Sequence, residues 1–151
     1  MGIIIPANNS HKRGKAMKQT SKIVSFFVFP ILVLLAHLIA STILKLYTIF
    51  PNLDVPFHYI GGLSVAYAST QILSYLEKEK ITATLNKVVL LILILSLTAT
   101  ATVFWEFAEF IGDNLLDTNI QVSLANTMQD QFLGILGGIT WAFIYNKKIL
   151  K

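Results

Sequence analysis

Five ionisable side chains lie near the ends of long apolar stretches, and together they offer the donors of a divalent-cation site. They are Asp54, His58, Glu106, Glu109 and Asp130. One imidazole and four carboxylates suit Zn, Mn, Fe or Mg. The chain has no cysteine, which excludes thiolate ligands, cysteine nucleophiles and disulfides. The sequence predicts that all five residues are metal ligands, with Glu106, Glu109 and His58 as candidate catalytic residues.

The spacing of these residues places each of them on a polar or small-residue face of a helix. Asp54 and His58 are four positions apart and share a face. A second face carries polar residues in a 4-4-3-4 rhythm: Thr98, Thr102, Glu106, Glu109 and Asp113. A third face repeats every four positions: Asn126, Asp130, Gly134 and Gly138. Small residues let helices approach closely in lipid, so the pattern predicts a tight bundle with a polar pocket.

Each candidate also has a simpler structural interpretation. Asp54 and Asp130 can each cap the start of a helix, and His58 can be a neutral histidine hydrogen-bonded to a carbonyl. Glu106 and Glu109 are harder to explain in this way, because an intramembrane carboxylate costs about 2.5 kcal/mol or more. Two such neighbours need a shared proton, a cation or a buried partner.

Other polar and aromatic residues are expected to have structural roles only. His37 stands alone on a leucine-rich segment and is predicted to be structural. Trp105 and Trp141 are expected to anchor the protein at the two membrane interfaces. Asp113 and Asp117 are expected to be solvated loop residues.

The elements that must position these groups are transmembrane helices. Of the 151 residues, 54% are hydrophobic and 13% are charged, whereas a soluble domain carries about 25% charged residues. Four apolar stretches predict an all-α, polytopic four-helix transmembrane bundle with spans at about 22–44, 56–76, 87–110 and 128–146. These spans form one membrane domain, 22–146, between basic cytoplasmic tails at 1–21 and 147–151.

Two of the spans have irregular features. Pro30 should kink the first span modestly, because neighbouring helices can satisfy the freed carbonyl. The fourth span has an apolar run of about 14 residues, which covers about 21 Å, so its preceding turn must be drawn into the membrane. That turn contains Asn126, Gln129 and Asp130.

Basic residues indicate which ends of the spans face the cytoplasm. Lysine and arginine cluster in both tails and between spans two and three, whereas the other two loops offer only Lys45. By the positive-inside rule, both termini are on the cytoplasmic side of an inner membrane. Spans two and four then begin, and span three ends, on the outer side, where the five candidate ligands meet. The net charge of +4 therefore reflects topology, and nucleic acid is not an expected partner.

Three short motifs carry a resemblance to a known family. They are Asp54-x3-His58 with Gly61-Gly62, Trp105-Glu106-x2-Glu109, and Asn126-Thr127-x2-Asp130-x3-Gly134-x2-Gly137-Gly138. Over about 54–138 the chain resembles the YjdF-like inner-membrane proteins, although Asn126 stands where that family tends to have Asp. It is similar, more distantly, to the VanZ-like teicoplanin-resistance proteins, which tend to have Gln at the position of Glu109. The resemblance implies that these polar positions act together, and it implies no particular reaction.

Three functions fit the sequence, and the residues leave them open. The first is a divalent-cation site at the outer membrane face that acts on, or binds, a lipid head group or a lipid-linked cell-envelope precursor. The second is proton or ion transport along the stripe that ends at Glu109. The stripe is interrupted by the apolar segment 88–97, so a homodimer would have to complete the pathway. The third is a non-catalytic membrane factor that binds a partner protein through its glycine-rich faces.

The predicted topology can be tested by cysteine labelling, because the chain has no natural cysteine. A cysteine placed at Asn119 should react with a membrane-impermeant thiol reagent in intact cells. A cysteine at Thr82 should react only after lysis. Labelling of the Thr82 variant from outside would reverse the orientation and move the polar cluster to the cytoplasmic side.

Overall fold

The computed structural model describes residues 9–116 and 120–149, which form helices and turns. Asp117 and Asn119 lie outside these ranges. The five α-helices are α1 Asn9–Phe26, α2 Val28–Leu38, α3 Asp54–Lys78, α4 Lys87–Leu116 and α5 Leu124–Ile149. A π-helical turn, Ile39–Ile43, continues α2, and the 3-10 turns Leu46–Thr48 and Pro51–Leu53 lead into α3. The first predicted span therefore consists of two helices, and α1 extends back into the basic segment.

The break between α1 and α2 is sharper than the modest kink that the sequence predicts. The two helices meet at Phe27 with a bend of 44°. Pro30 accounts for its position, because a proline has no N–H to donate and its ring crowds the carbonyl four residues earlier, which belongs to Phe26. The Ile31 N–H resumes the regular pattern by donating to the Phe27 carbonyl at 3.0 Å.

Three aspartates differ from their simplest interpretations. Asp113 is not in a loop, since α4 continues to Leu116, and its carboxylate accepts the backbone N–H groups of Ile120 and Gln121, each at 2.8 Å. Asp54 is the first residue of α3, and the N-cap position belongs to Leu53. Asp130 lies within α5, which begins at residue 124, so it is not a cap either.

The centre of the bundle is a close contact between α3 and α5. A Cβ atom added to Gly62 would overlap the carbonyl of Gly134, and one added to Gly137 would overlap the carbonyl of Tyr59. Further along, the Ser74 and Tyr145 hydroxyls lie 3.3 Å apart. The contacts thus advance in the same direction along both helices, so α3 and α5 run parallel. α2 and α4 also pack on α3. Small residues thus allow the backbones to approach as helices do in lipid.

The distribution of polar and apolar residues is the reverse of that in a soluble domain. Large apolar side chains are exposed, among them Phe143 at 68% and Phe104 at 64%, while many buried side chains are polar or charged. Among the described helices, Lys87–Leu115 is long and apolar enough to cross a bilayer, and the bent pair Gln19–Phe26 and Val28–Ile43 qualifies if it is one span.

The contact between α3, α4 and α5 predicts which glycines cannot be enlarged. A Cβ at Gly134 or Gly138 would meet the methyl groups of Thr102 or Thr98 on α4, whereas one at Gly112 meets no atom of the described residues within 4 Å. We expect Gly134→Leu and Gly138→Leu to destabilise the protein by about 1–3 kcal/mol, because overpacking forces neighbouring atoms to move. Thermal unfolding in detergent measures the effect, with Gly112→Leu as the matched control. Wild-type stability of both variants would show that this face of α5 is not packed.

Candidate metal centre

Four helices deliver buried ionisable side chains to one end of the bundle. All are between 1% and 7% exposed. α2 supplies one, α3 and α4 supply two each, and α5 supplies one: His37, Asp54, His58, Glu106, Glu109 and Asp130. The structure therefore brings all five residues that the sequence predicted into one cluster, and adds His37.

His58 is the central residue of this cluster. Its Nε2 atom lies 3.1 Å from Asp54 Oδ1, 3.7 Å from Glu109 Oε1 and 4.0 Å from Asp130 Oδ2. Its Nδ1 atom lies 3.7 Å from Glu106 Oε1. The two nitrogens of an imidazole point in different directions and cannot bind the same ion. Three carboxylates thus share the Nε2 side, and Glu106 lies alone on the Nδ1 side.

The position of Glu106 resembles that of a residue that supports a metal ligand. Metal-binding histidines usually donate their second ring N–H to a carboxylate, which fixes the tautomer and the ring orientation. At 3.7 Å the Glu106 oxygen is beyond hydrogen-bond length, but it is the acidic group facing His58 Nδ1. Its other oxygen, Oε2, accepts a hydrogen bond from Gln121 Nε2 at 3.4 Å.

His37 is not merely structural, as the sequence suggested, because it belongs to the cluster. Its Nε2 atom lies 3.1 Å from Glu109 Oε1, and its ring stands edge-to-face to His58 with centroids 6.1 Å apart. One signal in the sequence could have revealed it. His37 is seven positions before the predicted end of span one, which is the same membrane depth as the other candidates.

Tyr47 connects the two histidine-bearing helices by contacting both His37 and Asp54. Its hydroxyl donates to Asp54 Oδ1 at 3.2 Å and lies 2.8 Å from His37 Nδ1. When the hydroxyl proton goes to Asp54, the proton of the second bond comes from Nδ1, and a neutral His37 then keeps its lone pair on Nε2. Burial and the charge of Asp54 raise the pKa of Tyr47, so the hydroxyl stays a donor.

Trp105 lies against the cluster instead of acting only as an interfacial anchor. Its indole N–H donates to Glu109 Oε1 at 2.7 Å. Its ring packs against His37 and His58, with centroid distances of 5.1 and 5.5 Å. Trp141, the other predicted anchor, likewise donates inward, to Thr70 Oγ1 at 3.0 Å. Both indoles are therefore used in helix packing.

Four buried polar atoms of the cluster have no hydrogen-bond partner among the residues that the structure describes: His37 Nε2, His58 Nε2, Glu106 Oε1 and Asp130 Oδ1. Within the described ranges, the ion pairs of these carboxylates are made with histidine alone. Three sets of donors lie within 4.8 Å of one another, which is close enough to hold an ion. They are His37 with Asp54 and Glu109, Asp54 with His58 and Asp130, and His58 with Glu106 and Glu109.

An apolar cleft between α2 and α4 reaches the same cluster. Its volume is about 340 Å³, and its walls include Leu34, Phe104 and Ala108. His37 and Glu109 also line it. Cavities of this size with a few polar groups are typical of ligand sites. The exposed edges of Leu34 (40%) and Phe104 (64%) show that the cleft opens at the side of the bundle.

An apolar exterior around helices with a buried polar cluster defines a helical membrane protein, and comparison with known families agrees. The model of a predicted membrane protein family, DUF2238, matches residues 13–148. The chain therefore belongs to DUF2238, the family of the YjdF-like proteins that its motifs resemble. No curated protein and no solved structure matches it.

Proposed function

We propose that this protein is a four-span membrane protein, with both termini in the cytoplasm, that binds divalent cations in a buried centre at its outer side. The bound cation acts on, or binds, the phosphate of a lipid head group or a lipid-linked cell-envelope precursor. The observation that carries the proposal is that, within the described residues, two buried histidine nitrogens lack a hydrogen-bond partner and lie among four buried carboxylates.

Electrostatics favours a bound cation over an empty pocket. A buried charge without a partner is costly, and removing one member of a buried pair leaves the other uncompensated. Protonation of both histidines would balance two of the four carboxylates, and the other two would have to bind protons. A divalent cation instead uses the carboxylate oxygens and the lone pairs of neutral His37 and His58 as ligands, and both Nε2 atoms lie 3.1 Å from an acidic oxygen.

The residues around the centre suggest how it would act. When bound, a divalent cation polarises a phosphate or lowers the pKa of a water molecule. His58 and Glu109 would then be ligands. Glu106, whose Oε1 atom has no partner, is placed beside His58 to accept a proton. These are the three candidate catalytic residues of the sequence, with Glu106 assigned a role different from the other two.

The cleft between α2 and α4 supports a lipid as the ligand. A molecule with an acyl chain can lie between Leu34 and Phe104 while its head group reaches His37 and Glu109, which line the same cavity. A lipid that follows this path reaches the cluster directly from the side of the bundle, without passage through water. The distant VanZ-like resemblance fits a lipid-linked cell-envelope precursor of this kind.

The two other functions receive less support. A transport pathway would have to continue from Thr98, but the Thr98 hydroxyl donates to the Ile94 carbonyl of its own helix at 2.8 Å, and Ala66, Leu90 and Ile94 form an apolar cluster. A partner-binding surface would need free glycine faces. Gly62 is instead covered by the backbone of α5.

The proposal that the protein binds a divalent cation is tested by measuring its melting temperature in detergent with and without chelator. A bound ion stabilises the fold by RT ln(1 + [L]/Kd), about 2.7 kcal/mol at a hundredfold excess over Kd. Chelator should therefore destabilise the wild type and hardly affect Glu109→Gln or Asp130→Asn. Asp113→Asn removes a carboxylate of α4 outside the cluster and should keep the wild-type response. An insensitive wild type, together with a Glu109→Gln variant of higher stability, would indicate proton sharing and no metal.

The proposal that a lipid binds in the cleft between α2 and α4 is tested by filling the cleft with a larger side chain. Gly112 lines it, and a Cβ atom added there meets none of the described residues within 4 Å, so Gly112→Leu should fold normally and keep its response to chelator. We expect it to lose most of the thermal stabilisation that phospholipid gives to delipidated wild-type protein, because leucine occupies the space for an acyl chain. Equal stabilisation of the two proteins by phospholipid would show that no lipid occupies the cleft.

A further inference from the structure

We infer that the centre holds two divalent cations, which share Asp54 as a bridging ligand. One is bound by His37, Asp54 and Glu109, and the other by Asp54, His58 and Asp130. This inference rests on the proposed cation-binding function and adds its stoichiometry, its ligand sets and a role for His37.

The geometry separates the two histidines into different ligand sets. His37 Nε2 is 3.1 Å from Glu109 Oε1, and His58 Nε2 is 3.1 Å from Asp54 Oδ1. Each nitrogen is buried, has no hydrogen-bond partner and faces a carboxylate. Within the part of the chain that the structure describes, no set of donors within 4.8 Å of one another contains both histidines. A single ion therefore has no set that uses both.

Asp54 is the residue that the two sets have in common. Each set then has one imidazole nitrogen and one carboxylate of its own, Glu109 for His37 and Asp130 for His58. A carboxylate has two oxygens and can bind one ion with each. The third possible set, which includes Glu106, uses both His58 and Glu109 and so competes with the other two. Two ions is consequently the largest occupancy that gives each ion its own histidine.

The charge balance of the cluster also supports two divalent cations. The cluster contains four carboxylates, and in the described ranges no lysine or arginine pairs with them. One divalent cation would leave a formal charge of about −2 in buried surroundings, which is costly and would repel a phosphate. Two divalent cations neutralise the four carboxylates. The second arrangement favours an anionic head group more than the first does, because a pair of ions can hold phosphate oxygens on both sides.

The stoichiometry is measured on the full-length protein in detergent, loaded with Mn²⁺ and freed of excess ion. We expect two Mn²⁺ per chain by elemental analysis, and an electron paramagnetic resonance spectrum of a spin-coupled pair. His37→Ala should retain one ion and show the spectrum of isolated Mn²⁺. Asp113→Asn, which changes a carboxylate outside both sets, should retain two. If His37→Ala does not fold, the wild-type stoichiometry and spectrum still decide the question.

The possible results distinguish the two proposals. Two coupled ions in the wild type and one in His37→Ala support the bridged pair. One ion per chain in the wild type, unaffected by His37→Ala, would overturn the two-ion inference and leave the proposed function intact. No bound ion in any form of the protein would overturn the proposed function as well.

Discussion

The burial of four carboxylates in a bundle with an apolar exterior is the constraint on which the rest of the structure depends. Acidic groups out of water must be protonated, paired or bound to a cation. Histidine is the basic partner that the described residues bring to them. The close approach of α3 and α5 at Gly62 and Gly134 holds His58 and Asp130 on facing helices. The small residues, which let the helices approach closely, therefore also hold the charged cluster together.

Most of this centre could be predicted from the sequence because the helices alternate in direction. Residues at the start of one span and at the end of the next must lie at one depth, which predicts that Asp54, Glu106 and Asp130 meet. The same rule applied to His37, but its leucine-rich surroundings suggested a purely structural role. Its contact with Glu109 joins helices from distant parts of the chain, which local composition does not show.

Helix ends and side-chain direction were harder to predict. A polar residue such as Asp113 near the end of an apolar run suggests a loop. In the structure it lies in the helix and is satisfied by backbone N–H groups that return from residues 120 and 121. Tryptophan is the residue type typical of an interfacial anchor, yet the indole of Trp105 donates inward to Glu109. Such partners come from distant parts of the chain, and local patterns do not show them.

The Tyr47 hydroxyl has a consequence for how the centre is assembled during synthesis. It ties His37 to Asp54, so these residues and His58 form a half-site within 22 residues of chain. A growing polypeptide emerges from its N-terminus, so the residues of this half-site are translated before Glu109 and Asp130. Both imidazoles and one carboxylate of the cluster therefore precede, in order of synthesis, the residues of the later helices that complete it.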